Sequence, residues 1–184
     1  MAAELPEIIG LVGPIRAGKT TITKHLVDRY GYSLASNSEV LRKILSDVGM
    51  AQSRDNLGSL GNSIFSIFGN DLIARHRVEN LHLGKIVVDG IRYTDELARY
   101  REVPGFRLIG VQASVETRFE RAILDAEVCK DIELTRGKFD ELVYSRSELD
   151  VPELLSKADR VIYNNDDMAQ LWLEVDQAIL SWIA

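Results

Sequence analysis

The chain has 184 residues, with 22 Lys and Arg against 28 Asp and Glu, giving a formal net charge of -6 at pH 7. That length fits one domain, residues 1–184, with a substantial core, and the acidity argues against non-specific attraction to nucleic acid or an anionic membrane while allowing a local basic cleft. Cys129 is the single cysteine, which excludes an intramolecular disulfide framework or a cysteine-based zinc site and makes a reducing, cytoplasmic setting the expectation.

At the start, Met1 to Glu7 lacks a basic segment followed by an apolar one, and nowhere do about 18 apolar residues run together, so neither export nor a membrane span is expected. Glu7-Ile8-Ile9-Gly10-Leu11-Val12 is a short β-branched run suited to a central parallel strand. It leads into Gly13-Pro14-Ile15-Arg16-Ala17-Gly18-Lys19-Thr20, which fits the phosphate-cradling pattern G-x-x-x-x-G-K-[ST] at every fixed position. Glycines let the backbone wrap close to an anion, and the helix that follows aims its unpaired N–H groups at it. Residues Gly13 to Thr21 are therefore expected to bind ATP, with Lys19 reaching the β- and γ-phosphates and the Thr20 hydroxyl offered to Mg2+. Ile22, Leu26, Val27 and Tyr30 recur at helical spacing behind the loop, and Gly31 stops that helix.

Tyr32 to Ala35 is a short candidate strand, and Asn37 or Ser38 caps a helix carrying Leu41, Ile44 and Leu45. After the turn-like stretch Gln52 to Asn56, Leu60, Ile64 and Phe68 predict one helix and Leu72, Ile73, Val78 and Leu81 a second, separated by Gly69-Asn70-Asp71 with Asn70 as cap. Lys85-Ile86-Val87-Val88-Asp89-Gly90 then reads as another buried parallel strand. Ligands sit at the carboxyl ends of such strands, which puts Asp89 where it would share a magnesium ion with Thr20.

Thr94 caps a short helix through Tyr100, Phe106 to Gln112 is the fourth strand, and Ser114 caps a helix on which Arg118 and Arg121 lie three apart on the surface. Glu127 to Arg146 is charged and weakly periodic and is taken as a mobile cover. Ala158 to Tyr163 is the last strand, Asn164 to Asp167 a turn, and Met168, Leu171, Trp172, Val175, Ile179 and Trp182 form the core stripe of the final helix. His25, His76 and His82 lack metal-ligand spacing and are read as packing or surface residues. Strands alternating with helices imply a parallel sheet covered on both faces.

A phosphoryl-transfer enzyme must hold two anions, and arginine's planar fork suits both. Arg42, behind the second strand, and Arg92, three residues past Asp89, are best placed; Arg54, Arg118, Arg121 and Arg136 are further candidates.

The loop at Gly13 to Thr20, together with Ser38-Glu39-Val40-Leu41-Arg42 and Asp89-Gly90-Ile91-Arg92, resembles the nucleoside monophosphate kinase branch of P-loop kinases. The whole chain is similar to the dephospho-coenzyme A kinase-like or deoxynucleotide kinase-like group, through Arg54-Asp55-Asn56-Leu57-Gly58 and Ala158 to Asn165. The resemblance implies a three-layer α/β/α P-loop NTPase fold with a five-stranded parallel sheet in the order 2-3-1-4-5. It also implies ATP and Mg2+ as cofactors, an acceptor segment over about 37–82 and a lid over about 118–146. Ser38, Arg42, Arg54 and Arg92 would bind the acceptor, Arg118 and Arg136 would be the lid arginines, and Asn164 and Asn165 would lie at the adenine, largely through backbone. The segment at Asp89 to Arg92 is one residue shorter than the adenylate kinase form, and Ala122 to Glu127 carries no arginine.

The expected activity is ATP-dependent transfer of a γ-phosphate to a nucleotide-like small acceptor, of deoxynucleoside monophosphate or dephospho-CoA type, by a monomer or homodimer. For an alcohol acceptor, Asp89 is also placed to orient or deprotonate the hydroxyl. Because phage proteins similar to this group act on hydroxymethylated pyrimidines, a second reading is a kinase for such a base in DNA, working in a host cytoplasm. A third is a nucleotide-dependent switch with no acceptor.

Overall fold

The computed structural model describes residues 4–80, 84–129, 135–165 and 167–183, with side chains at all of these except 54, 125–129 and 147. Leu81 and His82, which the sequence reading assigns to a helix and to the surface, lie outside the described residues, as does Asp166 of the expected turn.

Five strands, β1 (Ile8–Val12), β2 (Ser33–Ala35), β3 (Ile86–Asp89), β4 (Phe106–Gln112) and β5 (Arg160–Tyr163), form one all-parallel sheet in the order β2-β3-β1-β4-β5. The expected topology is thus observed, with the loop-bearing strand in the centre. Every residue of β1 is buried, which explains why its sequence is a continuous apolar run rather than an alternating one. Gly10 interrupts that run because a Cβ there would come within 2.5 Å of Ile91 Cδ1 and 3.0 Å of the Phe106 ring.

Successive β1 side chains feed two cores. Ile9 and Leu11 join Ile22 and Leu26 of α1 (Lys19–Tyr30) and Leu171, Val175 and Ile179 of α9 (Met168–Ile183). Ile8 and Val12 join the opposite layer, with Leu97 and Tyr100 of α5 (Thr94–Arg101) and Val151 and Leu154 of α8 (Val151–Ser156). Burying each such side chain contributes about 1.5–3 kcal/mol before the entropy of ordering is subtracted. Together they hold the carboxyl ends of β1, β3 and β4 in fixed register.

On the β2 side stand α2 (Asn37–Asp47), α3 (Arg54–Phe68) and α4 (Leu72–Glu79). The tandem pair α3 and α4 matches expectation, but its limits differ. Ser53, whose Oγ accepts from Asn56 N at 3.2 Å, starts α3 inside the stretch read as a turn. At the next boundary Asp71, not Asn70, is the N-cap, and its carboxylate is committed to Arg99 at 2.8 Å and Arg75 at 3.2 Å.

Beyond β4 come α6 (Val115–Cys129), α7 (Arg136–Val143), a 3-10 turn (Arg146–Glu148) and α8. Part of the region read only as a cover is thus helical. Thr135 caps α7, and Phe139, fully buried, anchors it against Phe119 with ring centroids 5.4 Å apart. His25 is a packing residue, stacked 4.3 Å from the Trp172 ring and hydrogen-bonded to Asp176 at 2.8 Å. Among the described residues no helix is long and apolar enough to cross a membrane.

Candidate active site

The loop between β1 and α1 is fixed from both sides. Ala17 N donates to Pro14 O at 3.1 Å, and Arg16 at the loop's crest takes a left-handed φ of 64°, a conformation uncommon outside glycine. Gly18 is the N-cap of α1 at φ 104°, and the first turn contains neither a side-chain cap nor an acid. The positive end of the helix is therefore left for an external anion.

Lys19 is 7% exposed and donates from Nζ to Gly13 O at 2.7 Å and Pro14 O at 3.0 Å, so it lies along the loop it serves. Burial, reinforced by the neighbouring Arg92 charge, lowers its pKa to about 7; Glu148 and Asp89 oppose that shift. A phosphate would supply the negative charge that this ammonium is short of.

Thr20 Oγ1 donates to Asp89 Oδ2 at 3.3 Å, so the hydroxyl on α1 and the carboxylate ending β3 meet as the sequence suggested. Gly90, at φ 86°, turns the chain back under Lys19: a Cβ there would lie 3.8 Å from Lys19 Cε and 3.5 Å from Arg92 Nε. Hydroxyl, carboxylate and buried ammonium suit a magnesium-bound polyphosphate, since the hard ion prefers oxygen donors and keeps much of its water. Arg118 supplies a further polar group: it is 5% exposed, and its buried Nε has no hydrogen-bond partner among the described residues.

Arg118, expected as a lid arginine, lies against the loop. Its Nη1 reaches Ile15 O at 3.3 Å and its guanidinium lies over the Phe139 ring at 5.8 Å, because α7 closes over it. Burial lowers its pKa, with Glu148 and Glu116 pulling the other way. Arg121 turns toward β5, donating to Asn164 O at 3.0 Å and Ala17 O at 3.5 Å. Asn165 is exposed, and its Oδ1 accepts from Ser114 N at 2.7 Å, tying the exit of β5 to the start of α6. Arg136 does not reach the loop here; it pairs with Asp140 at 3.2 Å and lies over Phe119 at 5.1 Å.

On the acceptor side, Arg92 carries its guanidinium to Glu148 and its backbone N–H to Glu96 Oε2 at 2.9 Å. Arg42 donates to Ser38 Oγ at 3.4 Å on the exposed face of α2. Arg54 begins α3, but its side chain lies outside the described residues.

Two participants were missed. Glu148 accepts from Ile15 N at 2.8 Å as well as from Arg92, joining residues 133 positions apart. Glu96 is 1% exposed, takes a 2.6 Å bond from Asn37, and has its pKa raised by burial. Through it the start of α2 and the backbone of Arg92 share one anchor. Asn164, expected beside Asn165 at the adenine, donates to Ala17 O at 2.8 Å and so fastens the loop to β5. Periodicity carries no signal for such long-range polar contacts.

Residues 12–134 match the AAA domain family. A UPF0200 protein of Methanoregula boonei is 32% identical over 118 residues, which is 62% of this chain and 64% of that protein's own length. Among solved structures, shikimate kinase from Acinetobacter baumannii in complex with shikimate is 22% identical with a TM-score of 0.59, over 97% of this chain and 95% of that one. Dephospho-CoA kinase from Campylobacter jejuni is 18% identical with a TM-score of 0.55, over 95% and 96%. These two likenesses establish a P-loop kinase-like fold.

Proposed function

The chain belongs to the AAA domain family, and on that premise we propose that it is an ATP- and magnesium-dependent kinase, one domain over residues 1–184, acting on a nucleotide-like small acceptor. The observation that carries this reading is the convergence of buried Lys19, Thr20 and Asp89 on one loop whose helix end is left uncapped. Helices α2 to α4 would form the acceptor side, and residues 118–146 the cover.

Phosphoryl transfer asks mainly for placement and charge stabilisation. Lys19 and the loop amides would bind the triphosphate tail, and Thr20 and Asp89 would hold the magnesium ion. When bound, that ion supplies charge neutralisation at the transferring group. Arg118 would neutralise charge from the side of α6, while Arg92, with Arg42 and Ser38 on α2, would orient the acceptor. Arg121 and the chain at Asn164 and Asn165 would flank the adenine. Closing α7 over Arg118 would exclude water and limit idle hydrolysis. An acceptor of deoxynucleoside monophosphate or dephospho-CoA type fits the arginines on that side, and a cytoplasmic monomer or homodimer would suffice.

The test is transfer of labelled γ-phosphate from ATP across deoxynucleoside monophosphates, dephospho-CoA, shikimate and DNA containing hydroxymethylated pyrimidines. Labelling of a nucleotide or dephospho-CoA supports the proposal. Labelling of the DNA alone moves the acceptor to a modified base, and slow hydrolysis with no labelled acceptor favours a nucleotide-dependent switch.

A further inference from the structure

Glu148 stands on the 3-10 turn between α7 and α8, only 8% exposed, and both of its oxygens are engaged. Oε2 accepts from Ile15 N in the middle of the phosphate loop at 2.8 Å, and Oε1 accepts from Arg92 Nη1. Lys19 and Arg118 both respond electrostatically to its charge. A single carboxylate therefore sits among one loop amide, one lysine and two arginines. That is the environment a terminal phosphate oxygen requires.

A phosphate and this carboxylate cannot share those donors, since two like charges a few ångströms apart in a buried site repel strongly. Glu148 also has somewhere to go. It borders a cavity of about 590 Å³, lined among others by Pro14, Gln112, Leu149 and Leu155.

We propose that Glu148 is a resident anion that occupies the phosphate position of the loop and ties up Arg92, so that a nucleotide must displace it before the acceptor can be held. This rests on the kinase reading above. Emptied of nucleotide, the site neutralises its own cations internally, and Arg92 is unavailable to an acceptor. Arrival of the triphosphate transfers those cations to the nucleotide, frees the Arg92 fork and couples donor binding to acceptor binding in that order. The contact is autoinhibitory: apparent nucleotide affinity is the intrinsic affinity multiplied by the fraction of molecules in which Glu148 has left the phosphate position.

The experiment is calorimetric titration of wild type and Glu148→Gln with MgADP and MgATP, alongside hydrogen exchange on the wild type. Glu148→Gln keeps the shape but not the charge, and is expected to bind both nucleotides about tenfold more tightly, as for a contact present in nine molecules of ten. In the wild type, MgATP should accelerate exchange at the amides of Glu148 and Leu149, which are bonded to Ser145 O and Arg146 O. Equal or weaker binding by a Glu148→Gln protein that melts normally overturns the proposal and makes Glu148 a support for the loop. Should the variant melt abnormally, the wild-type exchange decides, and unchanged or slower exchange with MgATP overturns it. If neither protein binds any nucleotide, the kinase reading itself falls, and this inference with it; that result differs from binding without tightening.

Discussion

Thr20 Oγ1 lies 3.3 Å from Asp89 Oδ2 although the two residues are 69 positions apart, one opening α1 and the other closing β3. The parallel register of β1 with β3, pairing Leu11 with Asp89, brings them together. Their meeting supplies a hydroxyl and a carboxylate on one side of the loop, the donor set a magnesium ion bound to phosphate oxygens uses.

Asp89→Asn is therefore expected to keep the fold and to raise the magnesium concentration needed for half-maximal ATP binding by about 10–100-fold. Titrating magnesium at fixed ATP and following binding by fluorescence or calorimetry measures this. An unchanged magnesium requirement would remove Asp89 from the ion's surroundings.

Gly18 admits no side chain. A Cβ there would lie 2.1 Å from Asn164 Nδ2, and φ is 104°. Gly18→Ala should cost about 1–3 kcal/mol in denaturant unfolding, because the clash pushes Asn164 off Ala17 O. The same variant should lose ATP binding under conditions where it remains folded.

The centre of the sheet was legible because β1 and the middle of β3 are buried and write themselves as apolar runs, whereas the edge strands β2 and β5 are largely exposed. Ile8 to Val12 and Ile86 to Asp89 are the clearest instances. Lys19, Thr20 and Asp89 were legible because a fixed loop pattern and a strand's carboxyl end specify where side chains arrive. Glu148 and Glu96 were not, since each acts through a contact distant in sequence that no period encodes, and the bond of Asn164 to the loop is of the same kind. Helix α7 was obscured by its charged exterior; one buried residue, Phe139, anchors it. The burial of Arg118 was hidden for the same reason, since its cover comes from α7.

A pH dependence should come from Asp176 on α9. Burial pushes its pKa upward, but hydrogen bonds from His25 and Tyr30 and the charges of His25 and Arg29 outweigh that and hold it below the usual carboxylate range. The unfolded chain therefore binds more protons around the ordinary Asp pKa. The stabilisation is present above that pKa and is lost as pH falls through the lower folded value. Asp176→Asn should cost about 1–2 kcal/mol at pH 7 and progressively less as the pH is lowered below the ordinary Asp range, measured by urea unfolding across an acidic pH series.

Ile179 is fully buried in the α9 stripe. Its replacement by Ala should destabilise the protein by about 2–5 kcal/mol through lost burial and a residual cavity. Catalysis by the protein that remains folded should be nearly unchanged, which separates core packing from the chemistry of the loop.

Calorimetric titration of MgATP into wild type and Lys19→Ala addresses the central claim directly. Loss of the charged donor, about 3 kcal/mol for two phosphate bonds, should leave one-to-one binding in the wild type and weaken it about 100-fold in the variant, with melting curves that overlay. Equal affinity in the two proteins, or no binding by either, would contradict the account.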